Sequence, residues 1–113
     1  MFLSNLFSTA EKNENIQILS PAEFKTALEN PSVQLLDVRT PNEFAAGSIQ
    51  GAKNLNLFDG AGFQRAAATL TKQEPVYLFC QSGNRSKSAS KLLSQMGFTQ
   101  IYDLRGGYSN WSY

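Results

Sequence analysis

The sequence predicts an α/β domain in three layers, a central, mostly parallel sheet with helices on both faces. Three observations carry that expectation. Short apolar runs alternate along the chain with stretches of helical periodicity, the order in which parallel strands and crossover helices follow one another. The run Val33 to Val38 is apolar on both of its faces, as a central strand covered on both sides requires. Two segments, Ser20-Pro21-Ala22-Glu23 and Thr40-Pro41-Asn42-Glu43, combine an N-cap hydroxyl, a proline at the first helical position and a capping-box glutamate, each soon after a strand-like run.

The chain has 113 residues, enough for one domain with a substantial core. A hydrophobic share of 42% against 17% charged residues excludes a disordered chain. The formal net charge of +1 removes any global electrostatic reason to expect a nucleic-acid partner. Residues 1–15 read as an N-terminal tail and 16–113 as the domain. Met1 to Phe7 is apolar but short, interrupted by Ser4 and Asn5, and has no basic leader. It matches neither a signal peptide nor a membrane span, so no membrane association and a cytoplasmic location are expected.

In order, Ile16 to Leu19 reads as a strand. A helix capped by Ser20 follows, with Phe24, Ala27 and Leu28 inward, ending near Asn30-Pro31. Val33 to Val38 is the second strand, carrying Asp37-Val38-Arg39 at its end. A brief helix starts at Thr40 and is closed by Gly47. Ala52 to Leu57 alternates weakly as a third strand, and Phe63 to Leu70 reads as a helix. Val76 to Phe79 is a short apolar run opened by Pro75. From Ser86 on, Ala89, Leu92, Leu93 and Met96 recur at helical spacing, with Gly97 as the stop. Ile101 to Leu104 is the last strand before the Gly106-Gly107 turn. Trp111, Tyr108 and Tyr113 read as packing residues.

The only cysteine, Cys80, falls where the Val76–Phe79 strand stops and the next helix begins. The intervening Gln81-Ser82-Gly83-Asn84-Arg85 is small and polar. Such a loop turns backbone N–H groups and the positive end of the helix dipole toward its bowl. A thiol held there is favoured as thiolate, so the segment reads as an anion-binding nucleophile site. From Cys80 to Tyr102 there are three bases, Arg85, Lys87 and Lys91, and no acid. One cysteine allows no internal disulfide, and the lack of histidine removes the usual general base and the commonest metal ligand. No metal and no cofactor are expected. In open parallel sheets ligands bind at the carboxyl ends of strands, where both Cys80 and Asp37-Val38-Arg39 fall.

Four segments in register then point to a family. Leu36-Asp37-Val38-Arg39, Glu43-Phe44-Ala45-Ala46-Gly47-Ser48-Ile49 with Gly51-Ala52 and Asn54, the Cys80 to Ser86 loop, and Leu104-Arg105-Gly106-Gly107 with Trp111 together resemble a single-domain rhodanese, a thiosulfate sulfurtransferase, from Ile16 to Trp111. The resemblance implies the rhodanese-like sandwich and a persulfide chemistry. Cys80 would take sulfane sulfur from a small sulfur-containing anion such as thiosulfate, or from a persulfide, and pass it to a thiol or to cyanide. Gln81, Ser82, Gly83, Asn84, Arg85 and Ser86 would cradle the sulfur and its anionic donor, with Arg85 holding a sulfonate. Asp37 and Arg39 would either brace the loop or orient the anion. Glu43 is read as a carboxylate serving the helix dipole, outside the chemistry.

Related phosphatases place the loop arginine one residue later, at the position Ser86 holds here, so the shorter cradle favours sulfur over a phosphoryl group. The family's usual Gly-His-Ile stands here as Gly47-Ser48-Ile49, and the often basic position after the cysteine is neutral Gln81. The missing histidine is read as a structural polar contact that bears on stability more than on chemistry, whereas the lost charge at Gln81 favours a protein or low-molecular-weight persulfide over thiosulfate. The alternatives are a sulfur carrier served by a protein donor or acceptor, and a binding module of the same fold without turnover.

Overall fold

Residues 13–113 are described by the computed structural model; the expected tail, up to residue 12, lies outside the described residues. Five strands form the sheet: β1 (Ile16–Leu19), β2 (Gln34–Asp37), β3 (Lys53–Asn54), β4 (Val76–Phe79) and β5 (Ile101–Leu104). Their spatial order is β1-β5-β4-β2-β3, and every pairing is parallel. Four α-helices connect them: α1 (Pro21–Ala27), α2 (Pro41–Ala46), α3 (Gly60–Ala67) and α4 (Asn84–Gln95).

Alternation along the strands sends side chains into two cores. On one face Leu36, Val38, Val76, Leu78 and Cys80 pack with Phe63 and Ala67 of α3 and Ala89 and Leu93 of α4. On the other, Leu35, Phe79 and Leu104 pack with Phe24 of α1 and, at the margin, Trp111. Phe24 meets Tyr77 and Trp111 edge to face. The sheet is thus covered on both sides, as expected. Both capping boxes form: Ser20 with Glu23 and Thr40 with Glu43 each exchange side-chain and backbone hydrogen bonds.

Boundaries differ from the sequence reading in several places: the second strand is Gln34–Asp37 rather than Val33 to Val38, and the first helix stops at Ala27 rather than near Asn30-Pro31. The expected strand Ala52 to Leu57 is only Lys53–Asn54, because the Asn56 side chain accepts from Phe58 N and starts a 3₁₀ turn at Leu57–Asp59. The helix expected from Phe63 to Leu70 lies earlier, at Gly60–Ala67. Its C-terminal end tightens into three-residue turns, Thr69 N to Ala66 O and Leu70 N to Ala67 O. The helix after the cysteine starts at Asn84 rather than Ser86, since Lys87 N already donates to Gly83 O.

Candidate active site

The β2–β4 pairing fixes the site's first neighbours. Asp37 lies beside Phe79 in register, and Val38 N donates to Phe79 O one step further. The ends of both strands therefore arrive together, carrying Asp37-Val38-Arg39 on one and Cys80 on the other. Cys80 is 1% exposed, its side chain in the α4-side core beside Leu78.

Two groups contact its sulfur directly. Gly83 N donates to Sγ at 3.0 Å, and the Ser86 hydroxyl lies 3.5 Å from Sγ. The Gly83 contact needs a left-handed backbone: φ is +110° and ψ −15°, a conformation open to glycine at little cost. Gly83 is also the N-cap of α4, and no side chain among the described residues caps that end. The first-turn N–H groups and the dipole of a twelve-residue helix thus face the loop.

The loop is held from behind by the chain's last turn. Tyr108 N donates to Cys80 O at 2.7 Å and Ser109 N to Gln81 O at 3.0 Å. Gly107 permits this approach, since a Cβ there would sit 2.6 Å from the Cys80 carbonyl oxygen. Gly106 and Gly107 are turn residues, and Tyr108 and Trp111 pack, as read from the sequence.

Asp37 and Arg39 form a buried bidentate ion pair. Arg39 Nη2 is 2.8 Å from Asp37 Oδ2 and Nε is 2.9 Å from Oδ1, with exposures of 3% and 0%. Asp37 raises the Arg39 pKa, against the cost of burial. The same guanidinium donates to Gln81 Oε1 at 2.9 Å and to Gly47 O at 2.6 Å, and stacks 4.5 Å from the Tyr108 ring centre. This geometry ties the pair to the Cys80 loop through Gln81 and to the end of α2 through Gly47. Ser48 also donates to Asp37 Oδ2, at 2.8 Å.

Arg85 behaves differently from the simple expectation of a free sulfonate clamp. Its guanidinium is bidentate to Glu43, 2.7 Å to Oε1 and 2.9 Å to Oε2, and lies over the exposed Phe58 ring. Arg85, first among several hydrogen bonds, holds the Glu43 carboxyl down at about 2. Glu43 thus does more than serve the dipole: it closes the capping box of α2 and engages the loop arginine. Sequence reasoning missed this partnership and the Tyr108–Ser109 anchors. The signal for the first was present only as two opposite charges in separate matched segments.

A sequence profile of the Rhodanese-like domain matches residues 20–113. The chain belongs to that family. Among its relatives, the uncharacterized protein YqhL of Bacillus subtilis is 38% identical over 96 residues, covering 85% of this chain and 72% of that protein. The thiosulfate sulfurtransferase GlpE of Pseudomonas aeruginosa is 34% identical over 99 residues, covering 88% and 86%. Among solved structures, the human single-domain sulfurtransferase TSTD1 superposes with a TM-score of 0.70 at 28% identity, covering 83% of this chain and 93% of that one. This rhodanese-like domain has the architecture expected from its motifs. No helix among its described residues is long and apolar enough to cross a membrane.

Proposed function

We propose that this rhodanese-like domain is a sulfurtransferase that carries sulfane sulfur as a persulfide on Cys80. The observation that carries the reading is the sulfur's position, with the Gly83 N–H directed at it from the uncapped start of α4. In the loading step the Cys80 thiolate attacks the outer sulfur of the donor. The donor S–S bond breaks with its electron pair going to the leaving group, sulfite for thiosulfate or a thiolate for a persulfide. In the release step an acceptor thiolate or cyanide attacks the terminal sulfur, and the pair of the Cys80–sulfur bond returns to Sγ. Neither step needs a general base, so the lack of histidine is no obstacle. What each needs is hydrogen-bond donors for anionic sulfur, the role of Gly83, Ser86 and the other loop amides from Gln81 to Arg85.

Donor choice follows from who is already engaged. Arg85 is paired with Glu43, and the Gln81 side-chain oxygen accepts from Arg39. A sulfonate arriving at the loop competes with Glu43 for the arginine, whereas a low-molecular-weight persulfide needs no such clamp. A persulfide is therefore the preferred donor over thiosulfate, and Asp37 and Arg39 support the loop without touching either.

Intact mass of the reduced protein before and after incubation with glutathione persulfide tests this. A gain of one sulfur atom, absent in Cys80→Ser and reversed by cyanide with formation of thiocyanate, is the expected result. Failure to load from this donor, from thiosulfate and from a desulfurase protein refutes the reading in favour of a binding module. Loading from a desulfurase protein alone would assign the chain as a protein-served carrier.

A further inference from the structure

The bases around the sulfur loop are unevenly matched. On the β2 side each has its own acid, Arg39 held by Asp37 and Arg85 by Glu43. A guanidinium already held by a carboxylate offers a third group little net field. On the β5 side the bases are Lys87 and Lys91 of α4 and Arg105 after β5, all exposed. None of these three forms a salt bridge among the described residues. The unspent positive charge beside the loop therefore lies on one side.

That side also has room. A cleft of about 160 Å³ lies between Lys87 and Arg105, with Gly83, Ile18 and Leu104 in its walls. Gly83 is the residue whose N–H donates to Cys80 Sγ, so one glycine borders both the sulfur and the cleft. Backbone hydrogen bonds set the two bases in place. Lys87 N donates to Gly83 O at 3.1 Å, and Arg105 N donates to Leu19 O at 2.8 Å. A larger cleft of about 470 Å³ shares Ile18, Lys87 and Asp103 with the first and adds Lys91 and Glu14. Across both clefts three bases face two acids, and one of the acids, Asp103, is only 5% exposed.

We infer that the Lys87–Arg105 cleft is a carboxylate subsite for the sulfur donor, the persulfide of a short acidic peptide such as glutathione. The inference rests on the persulfide reading of Cys80 and names the class of donor that the site takes. In thiosulfate the charge sits on the group bonded directly to the attacked sulfur. It therefore arrives inside the loop, where Arg85 is already engaged by Glu43. In glutathione persulfide the sulfur-bearing residue has an arm on each side, and each arm ends in a carboxylate several bonds from the sulfur. An arm laid over Gly83 brings its carboxylate between Lys87 and Arg105, where charge-assisted hydrogen bonds hold it. The sulfane sulfur is thereby kept at Cys80 for attack.

The test compares loading of the reduced protein by glutathione persulfide and by the persulfide of glutathione diethyl ester, which lacks both carboxylates. The wild-type second-order rate constant, read by intact mass of quenched samples, should be about tenfold higher for the acid than for the ester. Added salt should shrink that advantage. Lys87→Gln and Arg105→Gln should each lower the ratio of the two rates about threefold to fivefold, and Lys87→Arg should keep most of it. Equal rates for the two donors, or variants that lower both rates alike, overturn the inference. Absence of any loading would instead refute the persulfide reading, so a second measurement involves no sulfur transfer. S-methylglutathione should slow alkylation of Cys80 by iodoacetamide, and its diethyl ester should need about tenfold more for the same protection. No protection, or equal protection by acid and ester, or by the acid in wild type and in Lys87→Gln, overturns the inference.

Discussion

Glu43 takes part in two hydrogen-bonded units at once. Its Oε1 accepts from Thr40 N at 3.0 Å and from Arg85 Nη1 at 2.7 Å, so the same carboxylate starts α2 and restrains the sulfur loop. Replacing it by glutamine should release Arg85 toward the loop. The expected result is a KM for thiosulfate lowered about threefold to tenfold, one charge-assisted contact's worth, with little change for glutathione persulfide. Steady-state kinetics with both donors checks this, and an unchanged KM for thiosulfate would mean that Arg85 takes no part in anion recognition. Arg39 gives the contrasting case, because its pair with Asp37 is buried. Arg39→Ala leaves that carboxylate without its cation and without the link to Gln81, and should cost about 3–5 kcal/mol in urea unfolding. The charged residues themselves were legible in the sequence, since each sits in a matched segment. Their partners were not: Glu43 and Arg85 are joined only when β2 and β4 lie side by side, and Ser48 finds Asp37 only after α2 turns the chain back.

At the level of elements, the sulfur loop is a junction of a strand end, a helix start and a later turn. Two of these were readable from local signals, because Pro75 opens the strand and the helical spacing of Ala89, Leu92 and Leu93 marks the helix beyond the loop. The third was not, because Tyr108 and Ser109 reach the loop through their backbones, which carry no side-chain signature. The short β3 escaped for a similar reason, since the Asn56 cap that ends it looks like any polar residue in a weak alternation. Glycines at the junction separate two kinds of cost. A Cβ on Gly83 meets nothing within 4 Å, so Gly83→Ala is penalised by its φ of +110° alone, about 1–3 kcal/mol. A Cβ on Gly107 runs into the Cys80 and Gln81 backbone at 2.6 Å as well as adopting φ +68°. Gly107→Ala should therefore be the more destabilising by urea melts and should also abolish sulfur loading by intact mass, because the loop must move to admit the methyl group.

For the whole molecule, two carboxyls shifted in opposite directions shape stability against pH. Glu43 has its folded value lowered from 4.5 to about 2, so its contribution is complete above pH 4.5 and is lost as pH falls toward 2. Partly exposed, that pair is worth only about 1 kcal/mol. Asp103 has its folded value raised from 3.8 to about 6, so the folded state holds the proton more tightly and stability declines as pH rises from about 4 to 6. The decline is on the order of 2–3 kcal/mol. These two groups together place the stability maximum near pH 4 to 5, and Asp103→Asn should stabilise the protein at pH 7 but not at pH 4. Urea unfolding across pH 3 to 8 checks both limbs, and a maximum at neutral pH that is indifferent to Asp103→Asn would contradict both assignments. The overall architecture was foreseeable from the alternation of strand and helix signals. The strand order was not, since nothing local in Ile101–Leu104 tells it to insert between β1 and β4.

That insertion has a consequence for how the chain is made. Among the described residues β1 has its only strand neighbour in β5, and Ile16 waits for Ile101 across about 85 residues. On the ribosome β1 can pair only after the roughly 85 residues that follow it have been made, and closing so long a loop slows folding. The Cys80 loop is in the same position, because its carbonyls are engaged by Tyr108 and Ser109 still later. A nascent rhodanese-like chain therefore has its sulfur loop unformed until the Tyr108–Ser109 turn has been made. Reactivity toward sulfur and the synthesis of that turn are tied together by topology.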